Sequence, residues 1–244
     1  MHRQHCEELI DEYGTAAVVD ALGPFITPRR RERIDTMLHK RLAGIHIAIE
    51  APCDPHNASA IVRTAEAFGV LGVHVIAAEG KALHTKRTTQ GAYHWVETHH
   101  HTDFSSFLDA TAGIDRYGAW MDAPMTVQEI PVDRPLCLLL GNENRGLSPQ
   151  ARQACRSGYR IPMVGMSESL NLSVSAAISL FEVCRNYREE HGPTDVPKKL
   201  RERLRARHYI ECVDDRMVDG VLREHTALRS RLQPGRIDEQ ESAS

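Results

Sequence analysis

Apolar residues along the chain change their period several times, and each change marks an element. From Glu7 to Leu22 the residues Leu9, Ile10, Tyr13, Ala17 and Leu22 recur at loose helical spacing until Gly23-Pro24 stops the run, which predicts one short leading helix. Thr27-Pro28 supplies a cap and a first-turn proline. Behind it, Arg29 to Arg41 sets Ile34, Met37 and Leu38 beside Arg29, Arg30, Arg31, Arg33, Lys40 and Arg41, predicting a basic amphipathic helix. The pattern then alternates between strand and helix: a strand at His46 to Ile49, a helix from Pro55 to Phe68 and a strand at Val73 to Ala77 form one βαβ unit. The helix carries Ala58, Ile61, Val62, Ala65 and Phe68 on one face, with Arg63 off that stripe, and Gly69 sits where a left-handed cap falls. A polar stretch from Lys81 to Arg87 precedes the segment Tyr93 to Glu97, a helix at Phe104 to Ala110 and strands at Tyr117 to Met121 and Leu136 to Leu140.

The run Leu136-Cys137-Leu138-Leu139-Leu140 is apolar without alternation, as a strand buried on both faces of a parallel sheet must be, and it is placed at the centre. It leads into Gly141-Asn142-Glu143-Asn144-Arg145-Gly146-Leu147-Ser148, then a short helix near Pro149 to Cys155 and a strand at Tyr159 to Ile161. A loop from Pro162 to Leu170 precedes a strong helix, Ser173 to Arg188, with Val174, Ala177, Ile178, Phe181 and Cys184 at core spacing. After Gly192-Pro193 the chain turns charged and helical, ending in an acidic tail from Asp238 to Ser244 that reads as disordered. The expected architecture is α/β, a mostly parallel sheet flanked by helices. Residues 1–43 are expected as a basic helical extension, 44–191 as the central α/β domain, and 192–244 as a charged helical extension.

Composition narrows this picture. No stretch approaches the roughly 20 uninterrupted apolar residues of a membrane span, and acidic Glu7, Glu8, Asp11 and Glu12 do not fit a signal peptide. The six cysteines are scattered without a C-x-x-C, which fits a reducing cytoplasm and a soluble protein. A net charge of −3 gives no global attraction to nucleic acid, so any RNA contact has to come from local patches: Arg29, Arg30, Arg31, Arg33 and Arg41 in front, Lys198, Lys199, Arg201 and Arg205 behind. Alone, those helices read as solvated faces balanced by Glu32, Asp35 and Glu202. The run His99-His100-His101 lacks partners at metal-ligand spacing and reads as a solvated loop, so no metal is expected.

Three segments carry candidate chemistry: Asn57 to Arg63, Leu140 to Ser148 and Ile161 to Ser173. Taken singly, the second is a strand-to-helix turn with permissive glycines, and Ser169, Asn171 and Ser173 are helix caps. Together, Gly141 permits close approach of backbone to a ligand, with free amides around it. Met163 and Leu170 offer an apolar wall, and Ser169 and Asn171 offer polar groups beyond it. Arg63 alone is a solvated helix-surface arginine.

In order, spacing and placement after strands, the three segments resemble the motifs of the SPOUT methyltransferases, TrmH family, across roughly Ile45 to Tyr187. Thr27-Pro28-Arg29-Arg30-Arg31-Glu32-Arg33-Ile34, the Pro55-His56-Asn57 start, Ser59 and the basic C-terminal helix resemble the branch that methylates guanosine 18 in the tRNA D-loop. The resemblance implies a C-terminal trefoil knot, S-adenosyl-L-methionine as cofactor, a homodimer with its sites near the subunit interface, and 2'-O-methylation of tRNA. It implies Leu140, Gly141, Asn142, Ile161, Met163, Gly165, Ser169 and Leu170 as cofactor-binding, and Arg63, Asn57, Ser169, Asn171 and Glu143 as catalytic. Within that frame Glu143 holds the site together, since methyl transfer from a sulfonium needs no acid. Arg63, a poor base with a pKa above about 12, stabilises the developing alkoxide and anchors phosphate. Asn57 lies about 120° from Arg63 around the helix and organises the loop. Two rivals stand: a ribosomal RNA 2'-O-methyltransferase of the same family, and a non-catalytic RNA-binding protein with this fold.

Overall fold

The computed structural model describes residues 3–77 and 92–232; the polar stretch Lys81 to Arg87 and the acidic tail lie outside the described residues. The chain opens with α1 (Arg3–Tyr13), α2 (Thr15–Leu22) and α3 (Pro28–Leu38). It continues through β1 (Leu42–Glu50), α4 (Pro55–Phe68), β2 (Val70–Ile76), β3 (Glu97–His101), α5 (Phe104–Ala110), β4 (Asp115–Ala119), β5 (Met125–Thr126) and β6 (Leu136–Leu140). The remaining elements are α6 (Pro149–Ala154), β7 (Ser157–Arg160), α7 (Leu172–His191), α8 (Lys198–Cys212) and α9 (Asp215–Leu232). Two compact units result: one from the helices before residue 39 and after 196, the other spanning His39–Val196.

In the second unit the strands order as β3-β2-β1-β6-β4-β7-β5, and every pair is parallel. As its unbroken apolar run requires, β6 is the middle strand, and all five of its residues are buried. The chain order reverses between β1 and β6, so ligands are expected at the strand carboxyl ends there. Asp54 caps α4 by accepting from the His56 amide at 2.8 Å, Pro55 takes the first turn, and Gly69 closes the helix at φ +81°. The stripe of α4, Ala58, Ile61, Val62 and Ala65, is fully buried in a core shared with α7. Each such Ile or Leu contributes about 1.5–3 kcal/mol.

Several expectations change. The leading helix is two helices, because Gly14 at φ +82° breaks the run between α1 and α2. The histidine run is the edge strand β3 and not a solvated loop: His101 is buried while His99 and His100 are exposed. His101 Nε2 lies 3.0 Å from His74 Nδ1, and His74 Nε2 lies 3.0 Å from His46 Nδ1, so three strands share a row of imidazoles. The core stripe of α7 is rotated from the expected one. Leu172, Ala176, Leu180, Val183, Cys184 and Tyr187 are buried, whereas Val174, Ile178 and Phe181 are exposed by 45%, 37% and 56%.

The first unit joins the two flanking segments into one body, where the sequence reads as two extensions. Arg203 of α8 donates to Glu7 at 2.5 Å and Asp11 at 2.7 Å of α1, and Arg205 pairs with Asp35 of α3 at 2.7 Å.

Candidate functional site

A cavity of about 480 Å³ opens at the carboxyl ends of β4, β6 and β7, entirely within His39–Val196. Leu140 lines it from the end of β6, Gly141 and Asn142 from the turn that follows, and Ile161, Met163, Ser169 and Leu170 from the segment after β7. Of the residues expected to hold a cofactor, Gly165 alone is not among the lining residues; it sits between Val164 and Met166, both fully exposed. The arrangement follows from the fold: a parallel sheet brings every strand's carboxyl end to one edge, and the turns leaving that edge face one another.

The turn after β6 differs from its expected form. A side chain at Gly141 would collide with the backbone of Gly146 and Leu147, so the turn's own return sets that glycine, not a ligand. The amides are engaged as well. Asn142 and Gly146 exchange backbone bonds of 3.1 and 2.8 Å, and the Asn144 and Arg145 amides donate to Asn142 Oδ1 at 2.9 and 3.2 Å. The Asn142 side chain also donates to the Ala51 carbonyl at 2.6 Å, tying the turn to the loop after β1. Ala51 has φ +46°, a conformation that costs energy in a residue with a side chain.

The three sequence segments meet in one hydrogen-bonded line. Asn57, only 8% exposed, donates to Glu143 Oε1 at 3.0 Å and accepts from Asn171 Nδ2 at 3.2 Å. Glu143 also receives the Cys53 amide at 2.9 Å and the Asp54 amide at 3.4 Å. Burial pushes its pKa up, but the bonds from Asn57 and those amides outweigh burial and hold the carboxyl below its ordinary range. Asn171 Oδ1 caps α7, accepting from the Ser173 amide at 2.9 Å and hydroxyl at 2.7 Å. Its acceptor is thus committed to the helix, and the polar group left facing the cavity at this end is the exposed Ser169 hydroxyl, which has no protein partner among the described residues. Arg63 is exposed on α4 and does not line this cavity.

Sequence reasoning missed one wall. Trp120, Asp122, Arg152 and Arg160 all line the cavity. Trp120 directly follows the carboxyl end of β4, the position from which such sites are built, and that was its available signal. Its slot was not visible: the ring rests over Gly118 and Gly158, on neighbouring strands far apart in sequence.

The expected RNA-contacting cations divide by environment. Arg29, Arg30, Arg33, Lys198 and Lys199 are exposed, and Arg31 and Arg201 are half-buried. Arg205 is engaged with Asp35. Arg41 is a correction: it is 1% exposed and donates to the Glu66 carbonyl at 3.1 Å and carboxylate at 3.3 Å, because it caps the carboxyl end of α4 from within the protein. Among the described residues no group of His, Cys, Asp and Glu is arranged to hold a metal, and no helix is long and apolar enough to cross a membrane.

Comparison with known proteins places this geometry. The chain is 34% identical over 175 residues to a tRNA (guanosine(18)-2'-O)-methyltransferase of Thermus thermophilus, covering 70% of this chain and 90% of the relative. Its structure is similar to the crystal structure of the Aquifex aeolicus TrmH/SpoU tRNA modifying enzyme, with TM-score 0.63 and 28% identity over 82% of this chain and 96% of that one. It is also similar to the SpoU methyltransferase AviRb of Streptomyces viridochromogenes in complex with AdoMet, with TM-score 0.54 and 26% identity over 62% of each chain. Residues 44–181 match the SpoU rRNA Methylase family, and the chain belongs to that family.

Proposed function

We propose that the protein transfers a methyl group from S-adenosylmethionine to the ribose 2'-hydroxyl of a tRNA guanosine, at position 18 of the D-loop. The observation that carries the reading is the line Glu143–Asn57–Asn171, which draws all three sequence segments to the rim of one cavity. The cavity suits the cofactor in size and chemistry. Its volume falls in the range of small-molecule sites, roughly 300–1,000 Å³. Leu140, Ile161, Leu170 and Leu172 offer apolar surface for an adenine, while Asp122 and Arg152 bring charge to the same cavity. When bound, S-adenosylmethionine supplies a methyl group already activated by its sulfonium and departs as a neutral thioether.

The protein's own residues then have to align and stabilise. The new bond is ribose oxygen to methyl carbon, the broken bond is sulfur to methyl, and the hydroxyl proton passes to a substrate phosphate or water. Ser169 and the remaining Asn171 N–H orient the ribose, and Glu143 with Asn57 keeps the surrounding turns in register. Arg63, exposed and away from its own chain's cavity, is assigned to the site of a second protomer, where its charge stabilises the developing alkoxide. The dimer this requires is supported by Val174, Ile178 and Phe181, which repeat at one face of α7 and are exposed. Phe181 meets Phe68 edge-on at 5.9 Å, extending the apolar patch onto α4, the helix of Arg63. The trefoil knot, the 44–191 methyltransferase domain between helical extensions 1–43 and 192–244, and a cytoplasmic site of action belong to the same proposal.

Tritiated S-adenosylmethionine with a tRNA transcript tests it, followed by mapping of the methylated nucleotide. Label at guanosine 18, lost on replacing that guanosine and sharply reduced by Arg63→Ala, is the expected result. Label on ribosomal RNA fragments alone would transfer the chemistry to the rival substrate. Absence of cofactor binding would remove both.

A further inference from the structure

The lining of the cavity contains a cation with no counter-ion among the described residues. Arg160 donates to the Ala123 carbonyl, and Glu143 is saturated by Asn57 and two amides. Arg152, on α6, makes no ion pair among the described residues; its guanidinium instead lies over the Trp120 ring, 5.1 Å from the centroid. A guanidinium stacked on an indole keeps its N–H fork free for an in-plane acceptor while the ring fixes its orientation.

The support beneath that arginine is built into the sheet. A side chain at Gly158 would run into the indole, and one at Gly118 would meet it at 2.7 Å, so both strands need glycine for the ring to lie flat. The indole is thus held from below by backbone, covered from above by Arg152, and edged onto the cavity. Asp122, two residues on, lines the same cavity and is likewise without an ion pair among the described residues. Leu140, Ile161 and Leu170 give the same cavity apolar surface.

We propose that Arg152, stacked on Trp120, binds the carboxylate of the cofactor's methionyl end, with Asp122 facing its ammonium. This rests on the cofactor assignment above and names the residues that orient its amino-acid tail. A bidentate guanidinium–carboxylate contact is a charge-assisted bond worth about 1.5–3 kcal/mol. At an exposed position the lower end applies, equivalent to roughly a tenfold change in Kd.

The test is calorimetric binding of two probes, S-adenosylmethionine and 5'-methylthioadenosine, which keeps the adenosine and the S-methyl group, on a neutral thioether in place of the sulfonium, but lacks the amino-acid tail. Arg152→Ala is expected to weaken S-adenosylmethionine about tenfold and leave 5'-methylthioadenosine within a factor of two; Arg152→Lys is expected to recover part of the loss. Equal weakening of both probes would mean that Arg152 only props Trp120, and overturns the proposal. Unchanged binding of both, with a raised Kd for tRNA, overturns it too and makes Arg152 a phosphate contact. If the unaltered protein binds 5'-methylthioadenosine but Arg152→Ala changes nothing, the cofactor reading survives and this inference fails. If it binds neither probe, both fall.

Discussion

Acidification should destabilise the unit spanning His39–Val196 well before its carboxylates titrate, because of the imidazole row. His46, His74 and His101 are joined by contacts of 3.0 Å, and His74 is 2% exposed. Phe107 meets His74 and His101 edge-on, and His99 stacks on His74 at 4.9 Å. Burial first, then the neighbouring imidazoles, lowers His74 to about 2; burial and His99 lower His46 to about 4, against weaker opposing effects of the Ala43 carbonyl and Asp195. Both groups are therefore neutral in the folded state at a pH where the unfolded chain, with its histidines near 6.5, takes up protons. Stability is intact above pH 6.5 and falls as pH drops, continuing to fall until the folded values are reached. Between pH 7.5 and 5.0 the loss is on the order of 2 kcal/mol for each of the two, a large part of a typical 5–15 kcal/mol. Ordinary carboxylates titrate below this window, so it isolates the histidines. Urea unfolding followed by tryptophan fluorescence measures it, since Trp95 and Trp120 both belong to this unit. His74→Gln, which keeps an amide donor and acceptor but cannot titrate, should remove the His74 share of the drop, leaving that of His46 and of His100 and His101, which burial also lowers. Equal stability at pH 7.5 and 5.0 would show that the folded row accepts protons freely, and the burial argument would be wrong.

Arg41→Ala should destabilise the protein by about 1.5–3 kcal/mol in denaturant unfolding, since it removes the charge-assisted bonds to the Glu66 carbonyl and to its partly solvated carboxylate, while tRNA affinity of the folded fraction stays unchanged. A fall in tRNA affinity without a stability loss would restore Arg41 as an RNA contact. Asn57→Ala is expected to cost about 1–3 kcal/mol and to weaken cofactor binding; Asn57→Asp should be worse, placing a second carboxylate within about 3 Å of Glu143. Unaltered binding in both variants would detach that line from the site. Phe181→Asp should break the proposed dimer into monomers in sedimentation and abolish methylation, and a persistent dimer would exclude this α7 face as the interface.

What was legible in the sequence is what local physics decides. The Pro55 start and Gly69 stop fix α4 at both ends, and the alternation-free Leu136 to Leu140 run fixes the central strand. In α7 the periodicity was real but double: two apolar stripes coexist, and only the sheet and α4 decide which is covered. The histidine strand escaped because each imidazole is polar in isolation and acquires partners only across β1, β2 and β3. Gly141 lines the cavity, but the sequence reading explained its glycine by a ligand, whereas its constraint is the returning turn, a contact formed only after folding. The site's polar line joins residues 114 positions apart, and no local pattern encodes such a bond.

The helical unit is assembled from segments on both sides of the catalytic one, and this orders events during synthesis. α1, α2 and α3 emerge first, yet the surfaces that cover them belong to α8 and α9, about 160 residues later. Closing a flexible loop of that length costs about 4–5 kcal/mol of chain entropy. The intervening unit removes much of this cost once it folds. Thr194 Oγ1 donates to the Arg41 carbonyl at 2.7 Å, and Asp195 receives the Ala43 and Gly44 amides at 2.6 Å each, so its two exits are stapled side by side. Maturation is thereby staged, with the catalytic fold acting as the jig that brings the flanking helices together. Severing the staple, for instance by Asp195→Ala, should delay the helical unit's appearance far more than that of the sheet.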